Sequence, residues 1–343
     1  MRIAVALFNL GGPDSARAVR PFLENLFSDP AIIGAPWFIR RPLAILIARL
    51  RQKSAIANYA LMGGGSPIVP QTEAQALALL AVLKNRFPDA EIRVVIAMRY
   101  WRPFTQEAAA EVASFKPDHI VLAPLYPQYS TTTTGSSFDA WRRSYKGSGQ
   151  IHGICCWYEN AGLIEAHATK ILRTWEAAGK PPVRLLFSAH GLPEQIANSG
   201  DPYQWQIEAT CAAVAERLGP GWDWQICYQS RVGPLKWIGP STPEAITAAA
   251  RDGVGVLIDP IAFVSEHIET LVELDREYSE MARELGVEVY LRAPVVGVEP
   301  TFINGLADAV EDALGKSGFC PQMRACVSGL SRCGRSTMSG KRG

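Results

Sequence analysis

The sequence predicts an α/β protein of two similar domains, each with a four-stranded parallel sheet flanked by helices. Three observations carry that expectation. Short apolar, β-branched runs bounded by turn residues alternate with stretches of helical period, the pattern of parallel βαβ units. Such runs fall evenly into the two halves of the chain. The length, 343 residues, suggests roughly two domains. No sequence repeat is evident, so the duplication is one of architecture.

The first strand is expected over Arg2–Phe8, running into Gly11, Gly12 and Pro13. Its basic-then-apolar start is like a signal peptide, but it is short and lacks a small-residue cleavage site, so it reads as a buried strand. Helix-period residues Thr72–Arg86 lead to a strand at Glu91–Met98. Thr105–Phe115 leads to His119–Pro124, and Ile151–Cys156 closes the first half. A join near residues 156–182 opens the second half. There Asn160–Ala178, Tyr203–Leu218, Thr242–Arg251 and Ser265–Leu285 read as helices, and Val183–Ala189, Trp224–Tyr228, Gly255–Asp259 and Val287–Leu291 as strands.

Composition excludes several classes. The formal net charge is +1, without the basic excess of a nucleic-acid protein. The final stretch from Lys316 has six basic residues and no acid, so near-neutrality hides an acidic body and a basic tail. No apolar run is long enough for a transmembrane helix. Seven cysteines, an odd number in a large chain, do not suggest a secreted disulfide framework. A reducing, cytoplasmic compartment is the expectation.

In open α/β sheets ligands bind beyond the carboxyl ends of the strands, so the strand exits are where chemistry is expected. The run ending at Phe187 delivers Ser188-Ala189-His190-Gly191-Leu192-Pro193. His190 is either a turn histidine or a general base near neutrality, with Gly191 allowing a sharp turn. In Phe263–Leu285, Glu266, Glu269, Glu273, Glu277, Glu280 and Glu284 form one helical stripe. It is either a solvated face or a cleft-facing row whose mutual repulsion raises its pKa values and relays protons. His267 and Glu269 point apart on a regular helix, so Glu269 takes the primary role and His267 joins it only if the helix is distorted.

Between Asp29 and Glu73 there is no acidic residue. Trp37–Lys53 there is apolar with five basic residues. It reads either as a core helix with a basic rim or as an apolar lip for a greasy anionic ligand or an anionic membrane surface. The Gly11-Gly12 and Gly63-Gly64-Gly65 loops match no phosphate-loop pattern. They fit turns or the close approach of a flat ligand.

Seven strings, Asn9–Pro13, Gly63–Pro67, Met98–Tyr100, Pro124–Ser130, Ser188–Pro193, Tyr228–Pro234 with a following tryptophan, and Ser265–Leu271, together resemble the ferrochelatases, which insert ferrous iron into a porphyrin. The resemblance covers about residues 1–315. It implies two Rossmann-like domains related by pseudo-two-fold symmetry, at 1–160 with a lip at about 30–60 and at 161–315, with the porphyrin cleft between them, and a tail at 316–343. It implies that His190 accepts pyrrole protons, that Glu269 is a metal or proton ligand with His190, and that Glu273 and Glu277 continue a carboxylate path. Leu10, Tyr59 and Ser66 would line the slot. Arg99 and Tyr100 would stand near metal entry, and Ser130 would be a polar contact. The substrates implied are protoporphyrin IX and Fe2+, with no cofactor needed for chelation. Coproporphyrin or cobalt chemistry on the same fold and a haem-binding carrier are the alternatives. A homodimer and peripheral association with the inner membrane are further expectations.

Two departures stand out. An asparagine frequent in the family is absent from Pro294–Val298, and Glu266 replaces a frequent aspartate. Some members hold a 2Fe–2S cluster on C-terminal cysteines, which makes Cys320, Cys326 and Cys333 candidate ligands. Four are needed. The fourth position of animal members is Ala166 here, leaving Cys155 or Cys156 as substitutes. Cys211 and Cys227 read as core residues.

Overall fold

The computed structural model describes residues 1–231, 233, 235–316, 318–319 and 329–334. Their contacts divide them into two compact units. Met1–Cys156 joins the chain from Ala307 and Gly334 in the first, and Trp157–Leu306 joins 329–333 in the second.

The first unit carries β1 (Arg2–Asn9), β2 (Glu91–Met98), β3 (His119–Pro124) and β4 (Gln150–Gly153), with the two-residue β9 (Gly318–Phe319) at its edge. The order is β2-β1-β3-β4-β9, all parallel. The second carries β5 (Val183–His190), β6 (Trp224–Gln229), β7 (Gly255–Asp259) and β8 (Tyr290–Arg292), ordered β6-β5-β7-β8 and again parallel. Each sheet thus repeats one connectivity: the second strand pairs outside the first, and the third returns to the first strand's other edge. The expected duplication of four-stranded parallel sheets is present.

The central strands β1, β3 and β7 are nearly all apolar and buried, as fits sheets covered by helices on both faces. Alternate residues serve different cores. Leu185, Phe187 and Ala189 pack with Ile207, Cys211 and Val214, whereas Leu186 packs with Cys227, Ile246, Ile258 and Leu274. Cys211 and Cys227 are core residues as expected.

Three elements differ from their sequence reading. β4 ends at Gly153, although Ile154–Trp157 stay buried. β8 is shorter and later than Val287–Leu291, because Gly286 turns in the left-handed region (φ +78°) and Val287 packs into the core instead. Ser265–Leu285 is not one regular α-helix. Glu269–Tyr278 is a π-helix, continued by an α-helical turn at Ser279–Glu284.

Candidate active site

β5 carries His190 to the carboxyl end of the second sheet, in register with Gln229 on β6. The next peptide closes onto β6, the Gly191 N–H donating to the Gln229 carbonyl at 2.8 Å. A β-carbon on Gly191 would lie 2.9 Å from that oxygen and 3.1 Å from the Trp237 ring. Glycine is therefore required by close approach. Gly191 is not among the positive-φ residues, so the requirement is one of space and not of a left-handed backbone.

The π-helix supplies the partner. His190 Nδ1 and Glu269 Oε2 are 2.8 Å apart, and His267 Nε2 stands 3.7 Å from the same oxygen. His267 precedes the helix, where the Thr270 hydroxyl accepts its N–H at 3.0 Å and Phe263 covers its ring. The distortion on which a role for His267 depended is thus present, and two imidazoles converge on one carboxylate.

The expected single stripe of carboxylates is divided. Glu266 leaves it to accept from Arg292 at 2.6 Å. Glu273 accepts from the Ser230 N–H at 2.9 Å, the Ser230 hydroxyl at 2.5 Å, the Gln229 amide at 3.3 Å and the Tyr278 hydroxyl. Glu277 is exposed. The wider i→i+5 turn alters which side each residue faces, and an α-helical spacing rule cannot anticipate that.

Gln229 and Ser230 had no assigned role in the sequence, although both lie in Tyr228–Pro234. Gln229 is 1% exposed. Its amide also donates to the Glu269 carbonyl at 3.0 Å, and its own oxygen accepts from Ser188 at 2.7 Å. Ser230 sits at φ +64°, a strained position for a residue with a side chain and common at functional sites. Polar residue types at the exit of an otherwise apolar strand run were the available signal.

The electrostatics follow from this pairing. Burial opposes charge on His190, but the attraction and hydrogen bond of Glu269, helped by Glu273, outweigh it and raise the imidazole pKa. Burial likewise opposes charge on Glu269, yet His190 and then His267 hold its carboxyl far below the usual range. Burial, then the charge of Glu273, pushes Glu277 up. Tyr203 donates to the His190 carbonyl at 3.0 Å, tying the same strand exit from another side.

The first unit holds its own polar cluster around Asp29, which is 4% exposed. One oxygen of Asp29 accepts from the Tyr100 hydroxyl at 2.8 Å and Ser136 at 2.5 Å and pairs with Arg99 at 2.7 Å. Tyr59, Tyr100 and Ser130 are buried, and Ser130 caps the helical turn at Thr131–Gly135. Leu10 and Ser66 are partly exposed. The glycine loops meet each other: the Ser66 N–H donates to the Pro13 carbonyl at 2.8 Å, and a β-carbon on Gly12 would touch Ser66.

A ferrochelatase family model matches residues 2–314. The chain belongs to the ferrochelatase family. Among its relatives, the ferrochelatase of Caulobacter vibrioides is 61% identical over 92% of this chain and 91% of its own. That of Phenylobacterium zucineum is 60% identical over 94% of both chains. That of Hyphomonas neptunium is 52% identical over 100% of this chain and 97% of its own. Among solved structures, SirB from Bacillus subtilis with Fe3+ is similar at a TM-score of 0.49 and 13% identity, over 91% of this chain and 96% of that one. In this ferrochelatase-family chain the His190–Glu269 pair brings together two of the residues implied by the resemblance, both in the second unit.

Of the tail cysteines, Cys320 and Cys326 lie outside the described residues, while Cys333 is buried. Ala166 is fully buried and supplies no thiolate. The Cys155 and Cys156 sulfurs are 3.6 Å apart. Among the described residues no three His, Cys, Asp or Glu side chains are grouped to hold a metal ion.

Proposed function

We propose that the protein inserts Fe2+ into protoporphyrin IX to form protohaem, acting as a metal chelatase of the lyase class. Iron enters as substrate, and two pyrrole N–H protons leave. The observation that carries the chemistry is the 2.8 Å contact of His190 Nδ1 with Glu269.

With Nδ1–H donated to Glu269, neutral His190 presents its Nε2 lone pair to the substrate. Taking a pyrrole proton makes it an imidazolium, which the adjacent carboxylate stabilises, the logic of a base oriented by an acid. The interaction that raises the His190 pKa is therefore the one that favours proton transfer. Glu269 also offers oxygen to the incoming ion. Glu273, held at the next turn by donors from Gln229, Ser230 and Tyr278, continues the carboxylate path. Glu277, already biased toward the protonated form, stands at the exposed end of the proton path. A planar macrocycle resists metal entry, so holding a distorted one would lower the barrier. We assign Leu10, Ser66 and Arg99 to substrate contact, and Tyr59, Tyr100 and Ser130 to shaping that surface from beneath.

The helix Trp37–Ala60 supports peripheral membrane contact. It exposes Trp37 (69%), Leu46 (54%) and Leu50 (74%) among arginines, and carries no acidic residue of its own to repel anionic lipid. No helix among the described residues is long and apolar enough to cross a membrane. We further propose Cys320, Cys326 and Cys333 as ligands that would hold a 2Fe–2S cluster. The described residues supply only Cys333 of that set. The visible spectrum of protein expressed with added iron tests it, a colourless product counting against it.

Anaerobic incubation with Fe2+ and either protoporphyrin IX or coproporphyrin III, followed by absorbance, tests the main reading. Metallation of protoporphyrin is expected. Preference for coproporphyrin would reassign the substrate, and metallation of neither would leave a haem-binding carrier.

A further inference from the structure

Arg292 joins two carboxylates that bracket the catalytic segment. Its Nε and Nη2 donate to the two oxygens of Asp275, each at 2.6 Å, and its Nη1 donates to Glu266 at 2.6 Å. The Arg292 and Glu266 side chains are each 13% exposed. Glu266 also accepts the Val295 N–H at 3.3 Å. Glu269 and Glu273 lie in the stretch between these two anchors.

That arrangement is incompatible with a straight α-helix. Nine residues of α-helix rise about 13.5 Å, too far for one guanidinium to reach from a single position. The contact is met because residues 265–267 are non-helical and Glu269–Tyr278 is a π-helix. The same strand adds a second grip. Tyr290, two residues before Arg292 and so on the same face of β8, donates its hydroxyl to the Leu274 carbonyl at 2.5 Å. A π-helix of ten residues is rare, since most are single-turn bulges.

We propose that Arg292 is a positioning residue for iron insertion: by holding Glu266 and Asp275 on one guanidinium it maintains the non-α course of the intervening segment and keeps the Glu269 carboxylate on His190. This deepens the chelatase reading and rests on it. Arginine is required because a lysine ammonium cannot reproduce the planar fork on Asp275 while also reaching Glu266.

The test compares wild type, Arg292→Lys and Asp275→Asn. The second variant sits at a half-exposed carboxylate and keeps its volume, so it reads the fork if the first does not fold. Three quantities are measured: the thermal midpoint, porphyrin affinity by fluorescence quenching, and anaerobic kcat. In addition, imidazole-selective NMR follows the His190 Nδ1–H bonded to Glu269. Folded variants should bind porphyrin as wild type does, lose roughly 10- to 100-fold in kcat and lose the His190 Nδ1–H signal. Folded variants that retain both kcat and that signal overturn the proposal. If wild type itself does not metallate porphyrin, the chelatase reading fails, and the NMR signal still decides whether Arg292 holds the pair.

Discussion

His190 Nδ1 lies 2.8 Å from Glu269 Oε2, which fastens the exit of β5 to the first turn of the π-helix. The contact directs Nε2 outward and makes the two side chains one acid–base unit. His190→Ala removes the proposed proton acceptor without touching the first unit's proposed substrate contacts. Turnover should fall by roughly 100- to 10,000-fold with porphyrin affinity retained, as measured by anaerobic metallation and fluorescence quenching. Retained turnover would remove His190 as the base.

The pair also sets a pH dependence. As the proposed base His190 acts unprotonated, so turnover should rise with pH through its raised pKa. Glu269→Gln removes the charge that raises it, and the acid limb of the kcat profile should move to lower pH. An unmoved limb would assign that titration to another group.

For stability the signs run oppositely for the two partners. The raised His190 pKa contributes stability fully present below its ordinary 6.5 and lost as pH climbs through the folded value. The depressed Glu269 pKa contributes stability present above its ordinary 4.5 and lost as pH falls toward the folded value. It is one shared interaction, strongest between those ordinary values. Urea unfolding at several pH values should show the wild-type advantage over His190→Ala peaking in that window.

Gly191→Ala places a methyl 2.9 Å from a backbone oxygen and 3.1 Å from the Trp237 ring. Neither is the free end of a flexible side chain, so β5 and β6 must separate. A loss of about 1–3 kcal/mol is expected by chemical denaturation, with turnover falling in step. Unchanged stability would show that the strand exits are pliable.

In the first unit, Asp29→Asn leaves Arg99 with its charge but without its buried carboxylate, at 2.7 Å in the wild type. Removing one partner of a buried pair typically costs about 3–5 kcal/mol. A thermal midpoint within a degree of wild type would show that Arg99 finds solvent instead.

The exposed face of Trp37–Ala60 makes a separable claim. Leu46→Glu with Leu50→Glu should abolish sedimentation with phosphatidylglycerol-containing vesicles while leaving metallation in detergent unchanged. Binding that survives both changes would place membrane contact elsewhere.

Much of this was legible along the chain. The apolar runs of β1, β3 and β7 announced strands buried on both faces, because period and composition are local properties. The strand-exit rule led directly to His190. The Phe263–Leu285 carboxylates were visible as a set, but the face each presents was not. That depends on backbone pitch in a segment that Arg292, Tyr290 and Gln229 contact from distant strands. Gln229 and Ser230 likewise acquire meaning only from what they touch.

By itself, then, the sequence determined the two-sheet α/β class, the strand order in time and the residue types available for proton and metal handling, since these follow from hydrophobic period and side-chain chemistry. Only the tertiary structure decided that Glu269 meets both His190 and His267, that Glu266 serves Arg292, and that Gly191 is needed for space rather than for a turn. Most of those outcomes rest on contacts between residues 26 to 79 positions apart, and a π-helical turn shifts them by angles that no local pattern records.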